Sequence, residues 1–225
     1  GADLSRAWSG LECFDPGAGR WQLLPAMARP RYCHATVLLA GRLYVLGGAS
    51  PQGGQVTVPR RSAERFDLAT GEWQELPPML HPRFAAVAGA LGGCLYVCGG
   101  HSTHALNAAE RYDPRAERWE CLRPMLHPRF LAIGAVIGKS LYVCGGCTHR
   151  HFGALSSCER YSLSLEGWEA LAPMSQKRFE AASAVVGNSL YICGGYDGAA
   201  PLSAAERFDA AAARWEPLPP LAQPR

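Results

Sequence analysis

No run of 18 apolar residues occurs in the 225-residue sequence, so no helix able to cross a bilayer is expected. The first residues lack the basic-then-apolar pattern of a secretory signal. A strong charge of either sign is missing too: 22 Lys and Arg face 19 Asp and Glu, a net charge of +3 that gives no ground for a nucleic-acid or membrane partner. Three catalytic signatures are absent, namely Gly-x-Ser-x-Gly, a phosphate-binding glycine loop and His-Glu-x-x-His. The cysteines number nine, an odd count that argues against a disulfide framework. What the chain has in quantity is turn chemistry, with 25 Gly and 17 Pro set in a sequence that is 48% hydrophobic, as expected of turn-dense β structure.

The abundant feature is a repeat. Leu43-Tyr44-Val45-Leu46-Gly47-Gly48 is echoed by Leu95-Tyr96-Val97-Cys98-Gly99-Gly100, Leu141-Tyr142-Val143-Cys144-Gly145-Gly146 and Leu190-Tyr191-Ile192-Cys193-Gly194-Gly195. A period of 46 to 52 residues means one supersecondary unit stacked on itself. Trp21, Trp73, Trp119, Trp168 and Trp215 each fall 9 residues after a glutamate, Glu12, Glu64, Glu110, Glu159 and Glu206. From Trp21, Trp73, Trp119 or Trp168 to the next glycine doublet the spacing is always 26, whereas doublet to glutamate varies from 10 to 16. Insertions therefore map to one loop per unit. Each unit holds four apolar runs bounded by turn signals, too short for helices, which predicts four strands, here called A, B, C and D. In the first complete unit these are residues 34–39, 43–46, 63–66 and 73–76. Cys98, Cys144 and Cys193 share one apolar position on strand B, which Leu46 fills in the first complete unit, and this suits small core residues of a reduced, cytoplasmic protein.

The glycine doublet, the Glu-Arg-aromatic triplet and the tryptophan together resemble the kelch family of β-propellers, over essentially the whole chain. The resemblance implies an all-β kelch β-propeller within residues 1–225, with four complete four-stranded blades and strands C and D of a further blade. The copies run approximately 1–27 (partial), 28–79, 80–125, 126–174 and 175–225. Strand A, rich in small residues, is expected nearest the central axis, and the tryptophans are expected between blades. Family rings commonly have six blades, so a parent protein or a second copy is expected to supply the rest, with Gly1 and Arg225 on opposite sides of a seam.

Strand parity puts the B-to-C and D-to-A loops on one face. That face collects Arg29, Arg31, Arg60, Arg61, Arg83, Arg129, Arg150, Lys177 and Arg178 against one clear loop acid, Asp197, which favours an acidic ligand there. Arg31, Arg83, Arg129 and Arg178 recur just ahead of strand A, followed by Tyr32, Phe84, Phe130 and Phe179. Two readings stay open. The cation and aromatic ring can grip carboxylate or phosphate, or the arginines can pair with strand C glutamates such as Glu64 and Glu110. The residue after each doublet is Ala49, His101, Cys147 or Tyr196, and only Gly194-Gly195-Tyr196-Asp197-Gly198 matches the family's ligand-contacting run, so Tyr196 is the best carry-over by resemblance. Arg150, beside Cys147 on its loop, completes the candidate ligand-binding set and marks Cys147 as the candidate reactive thiol. The His101-x-x-His104 and Cys147-x-His149-x-His151 patterns are weak zinc signals, and neither metal nor cofactor is expected.

These features read as a non-enzymatic protein-interaction module for an acidic or phosphorylated segment of a partner. By resemblance its setting is the substrate-recognition end of a cullin-type ubiquitin ligase adaptor, whose BTB and BACK portions would precede it. The alternatives are a cytoskeletal, actin-binding or scaffold propeller and, more remotely, a kelch-type oxidase or sugar-acid isomerase.

Overall fold

Four- and five-residue runs set between glycine, proline and aspartate turns fold as twenty strands with no helix among the described residues. The structure is a computed structural model and describes residues 7–52, 56–149 and 153–225. β1 (Leu11–Asp15) and β2 (Arg20–Leu24) form a two-stranded hairpin. β3 (Ala35–Leu39) and β4 (Arg42–Leu46) lead into a second hairpin, β5 (Ala49–Gln52) with β6 (Val56–Pro59), and then β7 (Ala63–Asp67) and β8 (Glu72–Leu76) complete a sheet ordered β3-β4-β7-β8. A second sheet contains β9 (Val87–Leu91), β10 (Cys94–Cys98), β11 (Ala109–Asp113) and β12 (Arg118–Cys121). The third holds β13 (Ile133–Ile137), β14 (Ser140–Cys144), β15 (Cys158–Ser162) and β16 (Gly167–Leu171). The fourth holds β17 (Ala182–Val186), β18 (Ser189–Cys193), β19 (Ala205–Asp209) and β20 (Arg214–Leu218).

Each four-stranded sheet is an antiparallel meander in the order A-B-C-D, the blade of a β-propeller, so the described residues form four blades, I to IV, preceded by a C–D hairpin. The hairpin β5–β6 was not foreseen: it occupies the longest B-to-C loop, where the extra residues pair with each other.

The inner strands stand side by side, β3 by β9, β9 by β13 and β13 by β17. Small residues on strand A have a steric cause here, since a Cβ on Gly134 would lie 2.2 Å from Val87 Cγ1 of the neighbouring blade. The cores lie between sheets. Tyr44, Leu46 and Val37 of blade I pack with Leu95, Val97, Tyr112 and Trp119 of blade II, and Ile133, Ile137 and Cys144 of blade III pack with Leu190, Ile192 and Phe208 of blade IV.

The tryptophans do work across blades: Trp119 Nε1 donates to Pro77 O at 2.8 Å, Trp168 to Arg123 O at 2.9 Å and Trp215 to Ala172 O at 2.9 Å. Only Trp119 is fully buried, and Trp21 on the N-terminal hairpin is 66% exposed. A ring covers its neighbour only where a preceding blade lies beneath it.

Candidate functional site

The loops joining B to C and D to A share one face, and the recurrent arginines lie beneath it. Arg31, Arg83, Arg129 and Arg178 are between 0% and 2% exposed. In blade III, Arg129 Nη1 donates to Gly145 O at 2.6 Å and Ser157 O at 2.9 Å, while Nη2 reaches Glu159 Oε1 at 2.8 Å. Arg178 meets Glu206 at 2.9 Å, and Arg31 and Arg83 pair with Glu64 and Glu110 in the same manner.

The second carboxylate oxygen is also used. Glu159 Oε2 accepts from Leu126 N at 2.7 Å, and Glu206 Oε2 from Ser175 N at 2.9 Å, both in the D-to-A connection of the preceding blade. Burial pushes the Arg31 guanidinium below its ordinary value while Glu64 opposes that shift, as a desolvated pair requires.

Each arginine is therefore a staple between blades. Gly100 N of blade II binds Arg129 O at 2.8 Å, and the Arg129 side chain enters blade III. The doublet makes this approach possible: Gly99 sits at φ 64, and a Cβ there would be 2.5 Å from Arg129 O. Of the two readings left open by the sequence, the structure shows the pairing with strand C glutamates. The four guanidinium groups do not reach the surface where a ligand would arrive, because the repeat needs their donors to hold its glutamates and loop carbonyls.

The aromatic partners are largely interior as well. Tyr32, Phe84, Phe130 and Phe179 form β-bridges to Ala49, His101, Cys147 and Tyr196, so the residue after the arginine and the residue after the doublet are one structural pair. Tyr32, Phe130, Phe179, His101 and Cys147 are buried, whereas Phe84 and Tyr196 are half-buried. His101 lies between the Phe84 and Phe130 rings, at 5.3 and 4.8 Å. The Cys147 thiol donates to Phe130 O, and burial together with the Glu180 carboxylate pushes it up to about 12. That is opposite in direction to the activated thiol expected from its basic sequence neighbours. Arg150 and His151 lie outside the described residues, as does Gly1. Among the described residues no three His, Cys, Asp or Glu side chains converge as a metal site.

One feature of the mouth carries no sequence signal. Cys33, Ala85, Leu131 and Glu180, each just after the aromatic, adopt left-handed φ values of 48, 52, 53 and 53. Ala85 N donates to Cys33 O at 2.8 Å, Leu131 N to Ala85 O at 3.0 Å and Glu180 N to Leu131 O at 3.1 Å. A one-way relay of backbone hydrogen bonds thus links the four blades around the axis. Four unrelated side chains share the strained geometry because the relay uses only their backbone. Burial raises the Cys33 thiol above its ordinary value, and the Glu180 carboxylate adds to the shift.

With the four buried arginines neutralised by glutamates, the face keeps a smaller positive excess: Arg29, Arg61 and Lys177 are exposed and Arg60 is half-buried. Charge drawn from the whole set overstated the field. Three of these four, all but Lys177, cluster on blade I, where a groove of about 420 Å³ is lined by Arg29, Arg60, Arg61, Val58, Pro59 and Glu75 among others. Arg60 Nη2 donates to Ser50 Oγ at 2.5 Å at the foot of the β5–β6 hairpin, and its buried Nε has no hydrogen-bond partner. Nothing in the spacing of these arginines shows that the hairpin walls them into one groove.

The Kelch motif model matches residues 30–80, 82–126, 132–175 and 177–222, four units that cover most of the chain. The chain belongs to the kelch-repeat family. It is similar to Kelch repeat and BTB domain-containing protein 12 of Danio rerio, 38% identical over 86 residues, which are 36% of this chain and 14% of that protein. It is also similar to Kelch-like protein 23 of Mus musculus, 30% identical over 92 residues, 41% of this chain and 15% of the relative. The matched stretch is thus a small part of each kelch relative. Among solved structures, that of YjhT superposes with a TM-score of 0.76 at 16% identity, covering 89% of this chain and 69% of that one, a likeness of fold.

Proposed function

We propose that this kelch chain is a protein-interaction module that takes a short acidic or phosphorylated segment of a partner on its B-to-C and D-to-A loop face. The observation that carries this reading is the blade I groove, where Arg29, Arg60 and Arg61 are gathered with one carboxylate, Glu75. Guanidinium groups suit bidentate recognition of carboxylate and phosphate. Phe84 and Tyr196 are half-buried, which supports a reading in which their rings add contact to such a segment. The kelch and BTB names of the relatives support the wider setting, in which this propeller selects substrates for a cullin-type ubiquitin ligase through BTB and BACK portions of a longer protein.

The test is an array of acidic and phosphorylated peptides against the purified chain, followed by titration of the best binder at two salt concentrations. Arg60→Glu with Arg61→Glu is expected to weaken binding without lowering the unfolding midpoint, and added salt is expected to weaken the parent interaction, because exposed charges are screened over about 8 Å at physiological ionic strength. Arg115→Glu on the opposite face is the control. Equal losses from the two faces, or salt-independent binding, would refute the reading.

A further inference from the structure

Strand B ends on leucine in blade I and on cysteine in the other three blades, and in one blade the strand C partner is a thiol as well. Leu46 is opposite Ala63, Cys98 opposite Ala109 and Cys193 opposite Ala205, but Cys144 on β14 is opposite Cys158 on β15. The hydrogen-bond ladder shows what kind of pair this is. Gly145 N donates to Ser157 O at 3.0 Å, and at the far end Leu163 N donates to Lys139 O at 3.3 Å, so bonded pairs fall at the odd-numbered positions of β14. Cys144 and Cys158 therefore form a non-hydrogen-bonded pair, the type in which side chains come closest and Cα atoms are about 4.5 Å apart. Disulfides usually bridge Cα separations of about 4.4–6.8 Å. Both thiols are buried, at 1% and 3% exposed, within the apolar core between blades III and IV.

We propose that Cys144 and Cys158 are a redox pair that closes to a cross-strand disulfide when hydrogen peroxide is the oxidant. One sulfur attacks the peroxide oxygen and becomes a sulfenic acid with release of water. The second displaces hydroxide from it to form the S–S bond, releasing a second water. Two thiols are oxidised, one peroxide is reduced, and both thiol protons leave in water. The bond ties the root of the blade III B-to-C loop, which carries Cys147 and the exposed His149 on the proposed binding face. A hydrogen bond between the two thiols, together with burial, raises Cys144 well above the ordinary thiol range, so the reaction proceeds through local opening where β14 and β15 meet the B-to-C loop, and the folded dithiol resists adventitious oxidation.

The experiment treats the full 225-residue chain with hydrogen peroxide, in buffer and in urea just below the unfolding transition. Free thiols are then blocked with N-ethylmaleimide, and the unreduced digest is read by mass spectrometry. The expected product is a peptide pair joining Cys144 to Cys158, two hydrogens lighter than the sum of its parts and reversed by dithiothreitol. Cys158→Ala recreates the Cys-over-Ala pair already present in blades II and IV, so it is expected to fold and to leave Cys144 free under both conditions. Recovery of Cys144 and Cys158 separately blocked in both conditions, after the exposed Cys33 and Cys121 have reacted, would overturn the proposal, as would either residue joined mainly to a different cysteine.

Discussion

A single arginine in each blade makes contacts in two blades, and this gives its replacement an unusual reach. Arg129 O is held by Gly100 of blade II, while its guanidinium satisfies Gly145 O, Ser157 O and Glu159 in blade III. Removing it leaves Glu159, 1% exposed, without its guanidinium partner. Breaking a buried pair from one side costs about 3–5 kcal/mol, and in a chain of this size each kcal/mol lowers the midpoint by about 2–4 °C. Arg129→Ala is therefore expected to lower the thermal midpoint by roughly 6–20 °C, measured by circular dichroism. A midpoint unchanged from the parent would show that the pair adds nothing to stability. Arg83, Arg129 and Arg178 are thus unsuitable for charge reversal as probes of ligand contact, since any loss of binding would follow loss of the fold.

At the scale of the element, strand D owes its worth to the blade before it. Trp119 stacks on Tyr112 at 5.0 Å and donates to Pro77 O, and it is 8% exposed. Trp21 on β2 has the matching Phe14 neighbour at 5.3 Å, yet is 66% exposed. Trp119→Ala is expected to cost about 3–5 kcal/mol, as for a buried aromatic, whereas the exposed Trp21 is expected to fall within about 0.5 kcal/mol of the parent. Urea unfolding of the two variants checks this. Equal costs would mean that intrablade stacking, and not the interblade contact, stabilises the ring. The hairpin β5–β6 teaches a related lesson, because a loop insertion on a rigid sheet becomes a wall of the groove that holds Arg60 and Arg61.

For the whole molecule, the end faces set its behaviour. β17 is exposed along its length where β9 and β13 bury alternate residues, and Val186 is 64% exposed. At the other end Trp8, Trp21 and Leu23 are 66%, 66% and 80% exposed. Apolar surface of this kind drives association. The chain by itself is expected to self-associate as its concentration rises, and Val186→Lys with Leu23→Lys is expected to shift the distribution toward monomer in analytical ultracentrifugation. A parent chain that is monomeric at every concentration would show that these faces are too small or too divided to act.

The sequence alone determined the repeat, the four-stranded unit, the inner position of the small-residue strand and the kelch family, because each depends on local spacing that a stack of identical units must keep. It also held both fates of the arginines, and only the tertiary structure chose between them: a guanidinium becomes a ligand contact or an internal staple according to whether a glutamate from 27 to 33 residues later reaches it in the interior. Cys147 followed the same logic, since basic neighbours in the chain suggested an activated thiol while burial in the folded loop raised it. The relay through Cys33, Ala85, Leu131 and Glu180 was illegible, as a backbone hydrogen bond in a left-handed conformation places no demand on side-chain identity that four different residues would reveal. The Cys144 and Cys158 pairing became visible only with the register of β14 on β15, which turns two residues 14 positions apart in sequence into direct neighbours.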